Sequence, residues 1–468
     1  MLPFLPIFPL AQAFPLPSPS PTPILPPVQK LVVQPQEIRA LPGQLDKVPM
    51  FNSNSPEVVQ TEGILLSTFP PSGKAVPSAH LNFPLVGSFN LLAHHIARAS
   101  KPGDWRPLYL GVIVFNPGLR PVTLDILQAV SYVTNPDAPF IDLPPLVDNR
   151  LGTVYSGPGS RVMNDILRGI HQADFPSQIV IPAKQSKMLF NLPIRLGNSR
   201  STFMRLRSNE PIYMASLAMS ARSNFPVQKD DPAVPFSLPY KAPMLEEWQK
   251  LLTTGKLAEP RDRIPTPPNQ TNVDILYGRV AGVAQGSQWR TEVNDRPGER
   301  SLSIPQQGQA FSYPLSTVSR TTFGTGQVQS APLLVRYSDT AYRAHGNYGV
   351  HYSLTFPLVN NTDEPQTVTM AIQTPLKQED RPDGLRFLEP PDQQVFFRGT
   401  VQLSYNDDQG FPQTRLVHLV QRRGQQGDPL VTLNMKRRDR RLVKVDFLYP
   451  PDAIPPQVLT VRTQMRSP

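Results

Sequence analysis

The side chains most able to do chemistry in this chain are seven histidines: His80, His94, His95, His171, His345, His351 and His418. Adjacent His94 and His95 point to opposite faces of an extended strand, so a regular strand cannot turn both onto one metal ion. No HExxH, no His-x-His and no carboxylate at ligand spacing accompanies any of the seven, and no metal site is expected. His345-Gly346-Asn347-Tyr348-Gly349 is the more suggestive setting, because two glycines around a histidine and an aromatic ring let a ligand come close to the backbone. A glycine-rich turn into a strand starting at Val350 accounts for the same residues. The chain has no cysteine, which removes disulfide frameworks, thiolate-held metal centres and thiol nucleophiles together. Gly-x-Ser-x-Gly, a phosphate loop and a dinucleotide fingerprint are missing too, so no cofactor is expected.

Charge gives a second candidate. Lysine and arginine number 46 against 36 acids, a net charge of +10, and one dense cluster stands out: Lys436, Arg437, Arg438, Arg440, Arg441 and Lys444. Such a cluster can hold a polyanion, and an acidic envelope polysaccharide is the partner it suggests. A solvated hairpin turn between two alternating strands explains the same charges. No interleaving of aromatic and basic residues marks a nucleic-acid site, and none is expected. A glycosidase pair among the 36 acids would have to converge in space to roughly 5–9.5 Å, which chain spacing does not reveal. Asn406-Asp-Asp-Gln-Gly410 lacks the alternate ligands and distal Glu of a calcium loop and reads as a hairpin turn.

Strands must position these groups. Proline supplies 57 of 468 residues, about 12%, against the ~5% of an average protein, which opposes long helices. Short alternating runs rich in Val, Ile, Thr, Tyr and Phe recur, among them Tyr109–Phe115, Val122–Ile126, Ser186–Phe190, Pro211–Leu217, Val350–Phe356, Thr367–Ile372 and Val395–Tyr405. One helix is clearly signalled over Ala242–Lys256, with Pro243 near its first turn, Glu246 and Glu247 at its positive end and Gly255 to close it. A weaker one covers Val162–Ile170, and Leu91–Ala99 is ambiguous. A strand, turn and strand plan appears twice, around Asn116-Pro-Gly-Leu-Arg-Pro121 and around Asn360-Asn-Thr-Asp-Glu-Pro365, and reads as a hairpin in each of two sandwiches. Pro182–Phe190 and Pro391–Phe397 follow as matching steps. The expected fold is all-β: two tandem immunoglobulin-like β-sandwich domains over 31–226 and 273–468, joined by a proline-rich connection with one short helix over 227–272.

Residues 1–30 form a separate segment. MLPFLPIFPLAQA is apolar and ends in a small-x-small pattern like a secretory cleavage site, and a Pro/Ser/Thr spacer follows it. It lacks a basic start and is broken by prolines. Nothing later approaches the ~20 apolar residues of a membrane-spanning helix.

The strings VVQPQEIRALPGQLDKVPMFNSNSPEVVQTEGILLSTFP at 32–70, LVGSFNLLAHHIAR at 85–98, TTFGTGQVQSAPLLVRYSDTAYRAHGNYGVHYSLTFPLVNNT at 321–362 and VHLVQRRGQQGDPL at 417–430 resemble a cyanobacterial family of uncharacterised, exported proteins. The resemblance implies a cyanobacterial, exported protein and carries no catalytic residue or ligand across. Together these readings lead us to expect a non-catalytic cell-envelope or extracellular-matrix protein, in the periplasm or at the cell surface, that binds acidic envelope polysaccharide or another envelope protein. The alternative is a carbohydrate-active hydrolase built on β-domains.

Overall fold

The computed structural model describes residues 28–222, 240–270, 273–379 and 384–465. The leader-like residues 1–13 and residues 227–239 of the connection lie outside them. Strand makes up 47% and helix 5%, so the fold is all-β.

The strand Ser199–Ser220 organises the first half. Up to Ser208 it pairs with Leu85–Ala97 and Val122–Val133. The register then breaks, and from Tyr213 the same strand pairs with Leu108–Phe115 and Gly63–Ser67. One chain segment thus serves two sheets, which close over Phe89, Leu91, Val112, Leu124, Met204 and Met214. In the second half, a sheet containing His351–Val359, Arg440–Leu448, Val395–Asn406 and Pro412–Arg422 shares a core with one containing Ala310–Leu315, Gln457–Thr463, Gln366–Gln373 and Val431–Met435. Leu354, Phe356, Met370, Leu403, Val445 and Val461 fill it. The alternation in these strands therefore buries one face of each sheet, as a period of two requires.

The two strand, turn and strand repeats are not hairpins. Leu108–Phe115 pairs with Ser186–Ile194, whereas Val122–Val133 pairs with Gln178–Ile181 on the other sheet. In the second half His351–Val359 pairs with Arg440–Leu448, and Gln366–Gln373 with Val431–Met435. Each repeat is an arch from one sheet to its partner, because both flanking strands carry an apolar face that only opposite layers of a sandwich bury. A buried asparagine brackets each arch. Asn116 donates to the carbonyls of Arg120 (2.7 Å) and Ile181 (3.0 Å) and accepts from the Gly118 amide (2.8 Å). Asn360 donates to Glu364 (2.9 Å) and Met435 (3.1 Å) and accepts from the Thr362 amide (3.0 Å). The counterpart of Gln178–Ile194 is therefore Val431–Leu448, not the Pro391–Phe397 step.

The halves also exchange strands. Ala281–Gln285 pairs with Pro49–Ser53 and Ala331–Arg336 adds beside it, both extending the first half's sheet. In return Leu146–Asp148 pairs with Pro412–Arg422. Helix α1 (Ser160–Leu167) drives Val162, Met163 and Ile166 into the second core. Helix α2 (Leu245–Thr254) is shorter than the expected Ala242–Lys256 and begins after Pro243. The Met244 amide donates to Glu247 Oε2 at 2.8 Å, and Trp248 and Leu252 are buried against Ile64, Ile113 and Leu217. Leu91–Ala99 falls largely within the strand Leu85–Ala97. No helix among the described residues is long and apolar enough to cross a membrane.

Candidate functional site

The strand Pro49–Ser53 and the residues after it read Pro-Met-Phe-Asn-Ser-Asn-Ser-Pro, with polar side chains on both faces of a buried segment. Ser53 Oγ contacts His95 Nε2 (2.9 Å) and Ser216 Oγ (3.2 Å), and Ser55 Oγ donates to Asp262 (2.7 Å). Alternation sends Asn52 and Asn54 the other way, and both line a pocket of about 250 Å³ where the two halves meet. Across it stand Tyr277, Arg279, His345, Tyr348 and Lys377. A second pocket of about 620 Å³ shares Tyr277 and His345 with it, and a third of about 240 Å³ shares Glu57 and Pro451. The three adjoin in one cleft with walls from both sandwiches.

The sequence places His345-Gly346-Asn347-Tyr348-Gly349 in the wall of this cleft. Gly349 has φ +78°, and a Cβ there would meet the Phe203 ring at 2.7 Å. A Cβ at Gly346 would meet the Tyr348 ring at 2.3 Å, so this turn tolerates no side chain at either position. His345 lies 4.6 Å from the Tyr277 ring, centroid to centroid. Burial, with the Arg343 charge, holds its pKa down to about 4, so the imidazole is neutral at neutral pH. Arg343 and Arg320, in the largest of these three pockets, donate to the backbone carbonyls of Ser330 (2.7 Å) and Val273 (2.6 Å).

At the other end, His94 Nδ1 contacts Ser201 Oγ at 2.8 Å while its Nε2 lies 3.6 Å from Glu57. His95, behind it, bonds the Pro56 carbonyl at 2.8 Å, so the adjacent histidines serve different partners. Burial works against an ionised Glu57, yet His94 and Arg279 beside it bring its pKa to about 2. Arg279 also pairs with Asp262 at 3.1 Å. Burial holds Asp452 above the usual carboxylate range although Arg398 pairs with it. Glu57 and Asp452 line the same pocket with proton affinities pushed apart, the condition for acid–base work, but each already carries a cationic partner. Among the described residues no group of three or more His, Cys, Asp or Glu could hold a metal ion.

The basic cluster lies elsewhere. Lys436 to Asp439 turn from Val431–Met435 to Arg440–Leu448, which belong to different sheets, so the turn is not a hairpin but a part of the second arch. Asn360 N–H donates to the Asp439 carbonyl at 3.0 Å, and Arg438 adopts φ +59°. Acids answer half of the charge: Arg437 pairs with Asp363 (2.8 Å), Arg441 with Asp439 (2.7 Å), and Lys444 with Asp446 (3.0 Å). Lys436, Arg438 and Arg440 are exposed. Asn406-Asp-Asp-Gln-Gly410 is the turn of the hairpin joining Val395–Asn406 to Pro412–Arg422, with Asp407 accepting from the Gln409 (3.0 Å) and Phe411 (2.9 Å) amides.

Asn52, Asn54, Glu57, Tyr277, Arg279 and Lys377 were not singled out by sequence reasoning. The usable signal was Asn-Ser-Asn-Ser in a strand whose neighbours are apolar, which leaves polar groups on both of its buried faces. No curated protein matches the chain. A family model covering residues 36–463 does match, and the chain belongs to that family, described as protein of unknown function (DUF3370).

Proposed function

We propose that this protein is an exported, non-catalytic component of a cyanobacterial cell envelope or extracellular matrix that binds acidic envelope polysaccharide in the junction cleft. One observation carries the reading: the cleft joins aromatic and cationic side chains, Tyr277, His345, Arg320, Arg343 and Lys377, on a frame built by both sandwiches. Sugar rings stack on aromatic faces, and cations held by backbone carbonyls stay available to an anion. The repeated arches support a reading as two tandem immunoglobulin-like units, and the leader-like start with its proline-rich spacer supports export to the periplasm or cell surface.

Co-sedimentation with polygalacturonate, against neutral dextran, tests the reading. Retention of the full chain on the acidic polymer, lost in Tyr277→Ala and weakened by salt, is the expected result; equal retention on both polymers, or on neither, would overturn it. The hydrolase reading has one observation in its favour, the unlike carboxyls Glu57 and Asp452 in one pocket. Release of new reducing ends from the bound polymer, abolished in Asp452→Asn, would establish it in place of binding alone.

A further inference from the structure

Buried polar groups in folded proteins nearly always have a hydrogen-bond partner, and each one left without costs ~1–3 kcal/mol. Three such atoms converge on the middle pocket of the cleft: Asn52 Oδ1, Asn54 Oδ1 and His345 Nδ1. Asn52 is 2% exposed and Asn54 4%, and among the described residues neither side-chain oxygen has a hydrogen-bond partner. The neighbouring serines, Ser53 and Ser55, are satisfied on the opposite face by His95 and Asp262. The unsatisfied groups are thus confined to the side that faces the cavity. A core built for stability alone would carry apolar residues at two such positions.

The chemistry of these atoms restricts what completes them. Two amide oxygens accept, so the occupant must donate, through hydroxyl or ammonium groups. Arg279 and Lys377 stand in the same wall, and like charge disfavours an ammonium there. Glu57 is already engaged by Arg279 and His94, while among the described residues Lys377 has no carboxylate partner. Lys377 is exposed at the pocket, and desolvation together with the Arg423 charge lowers its pKa, so an incoming anion would be welcome at its Nζ. Asn52 and Asn54, two residues apart on one strand face, have Cβ atoms about 7 Å apart, a span from which two flexible amides can reach two hydroxyls of one six-membered ring.

We propose that this pocket is the recognition subsite for a single sugar-acid unit, with Asn52 and Asn54 accepting from its ring hydroxyls, His345 Nδ1 meeting a third polar group, and Lys377 pairing with its carboxylate. This rests on the polysaccharide reading above and adds the unit that is recognised. Neutral imidazole suits the task, since Nδ1 can donate or accept according to tautomer.

The test uses free galacturonate, with galactose as the neutral comparator, titrated into the full chain while the side-chain amide resonances of Asn52 and Asn54 are followed. Galacturonate should shift both resonances. Affinity should fall about tenfold in Asn52→Ala and again in Asn54→Ala. Lys377→Gln should reduce galacturonate to the level of galactose while leaving galactose itself unchanged. The melting temperature of the two asparagine variants should stay level or rise, because each removes an unpaired buried group. If both variants melt lower and bind as the parent does, the amides are structural groups satisfied by water and the proposal fails. If polygalacturonate is retained but free galacturonate moves neither amide, the subsite fails and the polysaccharide reading stands. If galacturonate shifts both amides and the polymer is not retained, the subsite stands and the envelope-polysaccharide reading falls.

Discussion

The two arches differ in charge although they agree in geometry. In the first, Pro182-Ala-Lys-Gln185 turns between sheets with Lys184 at φ +58°, and the Gln185 carbonyl accepts from the Asn116 amide at 3.0 Å. In the second, Lys436-Arg-Arg-Asp439 does the same with Arg438 at φ +59° and the Asp439 carbonyl on the Asn360 amide at 3.0 Å. The turn therefore needs its bracketing asparagine and one left-handed residue, and it does not need three cations. The extra charge in the second arch is independent of the fold, in contrast to the asparagines, which are part of it.

Acid should produce the largest effect, because it strikes both sandwiches together. Burial holds His80, His95 and His418 to a pKa of about 4, as it does His345, against about 6.5 when unfolded. The unfolded chain takes up these protons first, so the stability they contribute is complete above pH 6.5 and is lost as pH falls toward 4. Each histidine adds a slope of roughly 1.4 kcal/mol per pH unit in that window. Glu57 contributes in the same sense over a lower window, its stabilisation complete above about pH 4.5 and lost as pH falls toward about 2. Urea midpoints measured from pH 7 to 4 should drop in one cooperative transition. Two separated transitions would show that the halves behave as independent units.

Next in size, Asn116→Ala and Asn360→Ala should each cost about 2–4 kcal/mol, since removing a fully buried side chain strands two carbonyls and an amide at the first and three carbonyls and an amide at the second. Near-equal losses in chemical denaturation would establish the arches as energetic equivalents. A loss below ~1 kcal/mol at one of them would mean that only the other holds its sandwich shut. The smallest effect is expected from the triple change Arg437→Ser, Arg438→Ser and Arg440→Ser. Exposed pairs such as Arg437–Asp363 contribute ~0–1 kcal/mol, so the melting temperature should move little. Arg441 is left in place because it is nearly buried and ties Asp439 to the Asp407 carbonyl (2.6 Å). If the triple variant loses polygalacturonate as fully as Tyr277→Ala does, the turn and not the cleft is the principal binding surface.

Strand content, scarcity of helix and α2 were legible because period-two alternation and the Pro243, Glu247 and Gly255 signals are local properties of the chain. The sheet partners of those strands were not. A strand pattern states which side chains are buried and leaves open whether the next strand lies beside it or in the facing layer, so Asn116 and Asn360 read as ends of hairpins. The cleft was partly legible, through the glycines flanking His345 and Tyr348, since backbone crowding leaves a composition trace. Asn52 and Asn54 left only the trace of polar residues on both faces of a buried strand, and Lys377 left none, because their meeting in one pocket is set by contacts between segments far apart in the chain, such as Pro49–Ser53 with Ala281–Gln285. The basic cluster was conspicuous for the opposite reason: charges close in sequence draw notice, while the acids that answer them, Asp363 and Asp408, come from other turns.

The exchanged strands have a consequence for how the chain is made. When residues up to 226 have left the ribosome, Pro49–Ser53 has its partner Leu85–Ala97 but still lacks Ala281–Gln285, and that open sheet edge persists until synthesis has passed the second sandwich's opening strands. Leu146–Asp148 waits longer, for Pro412–Arg422. The nascent first half thus carries an unprotected edge through most of translation, and completion of the molecule is a late event that requires nearly the whole polypeptide. A chain cut at the connection should yield fragments that are insoluble apart and recover structure when refolded together.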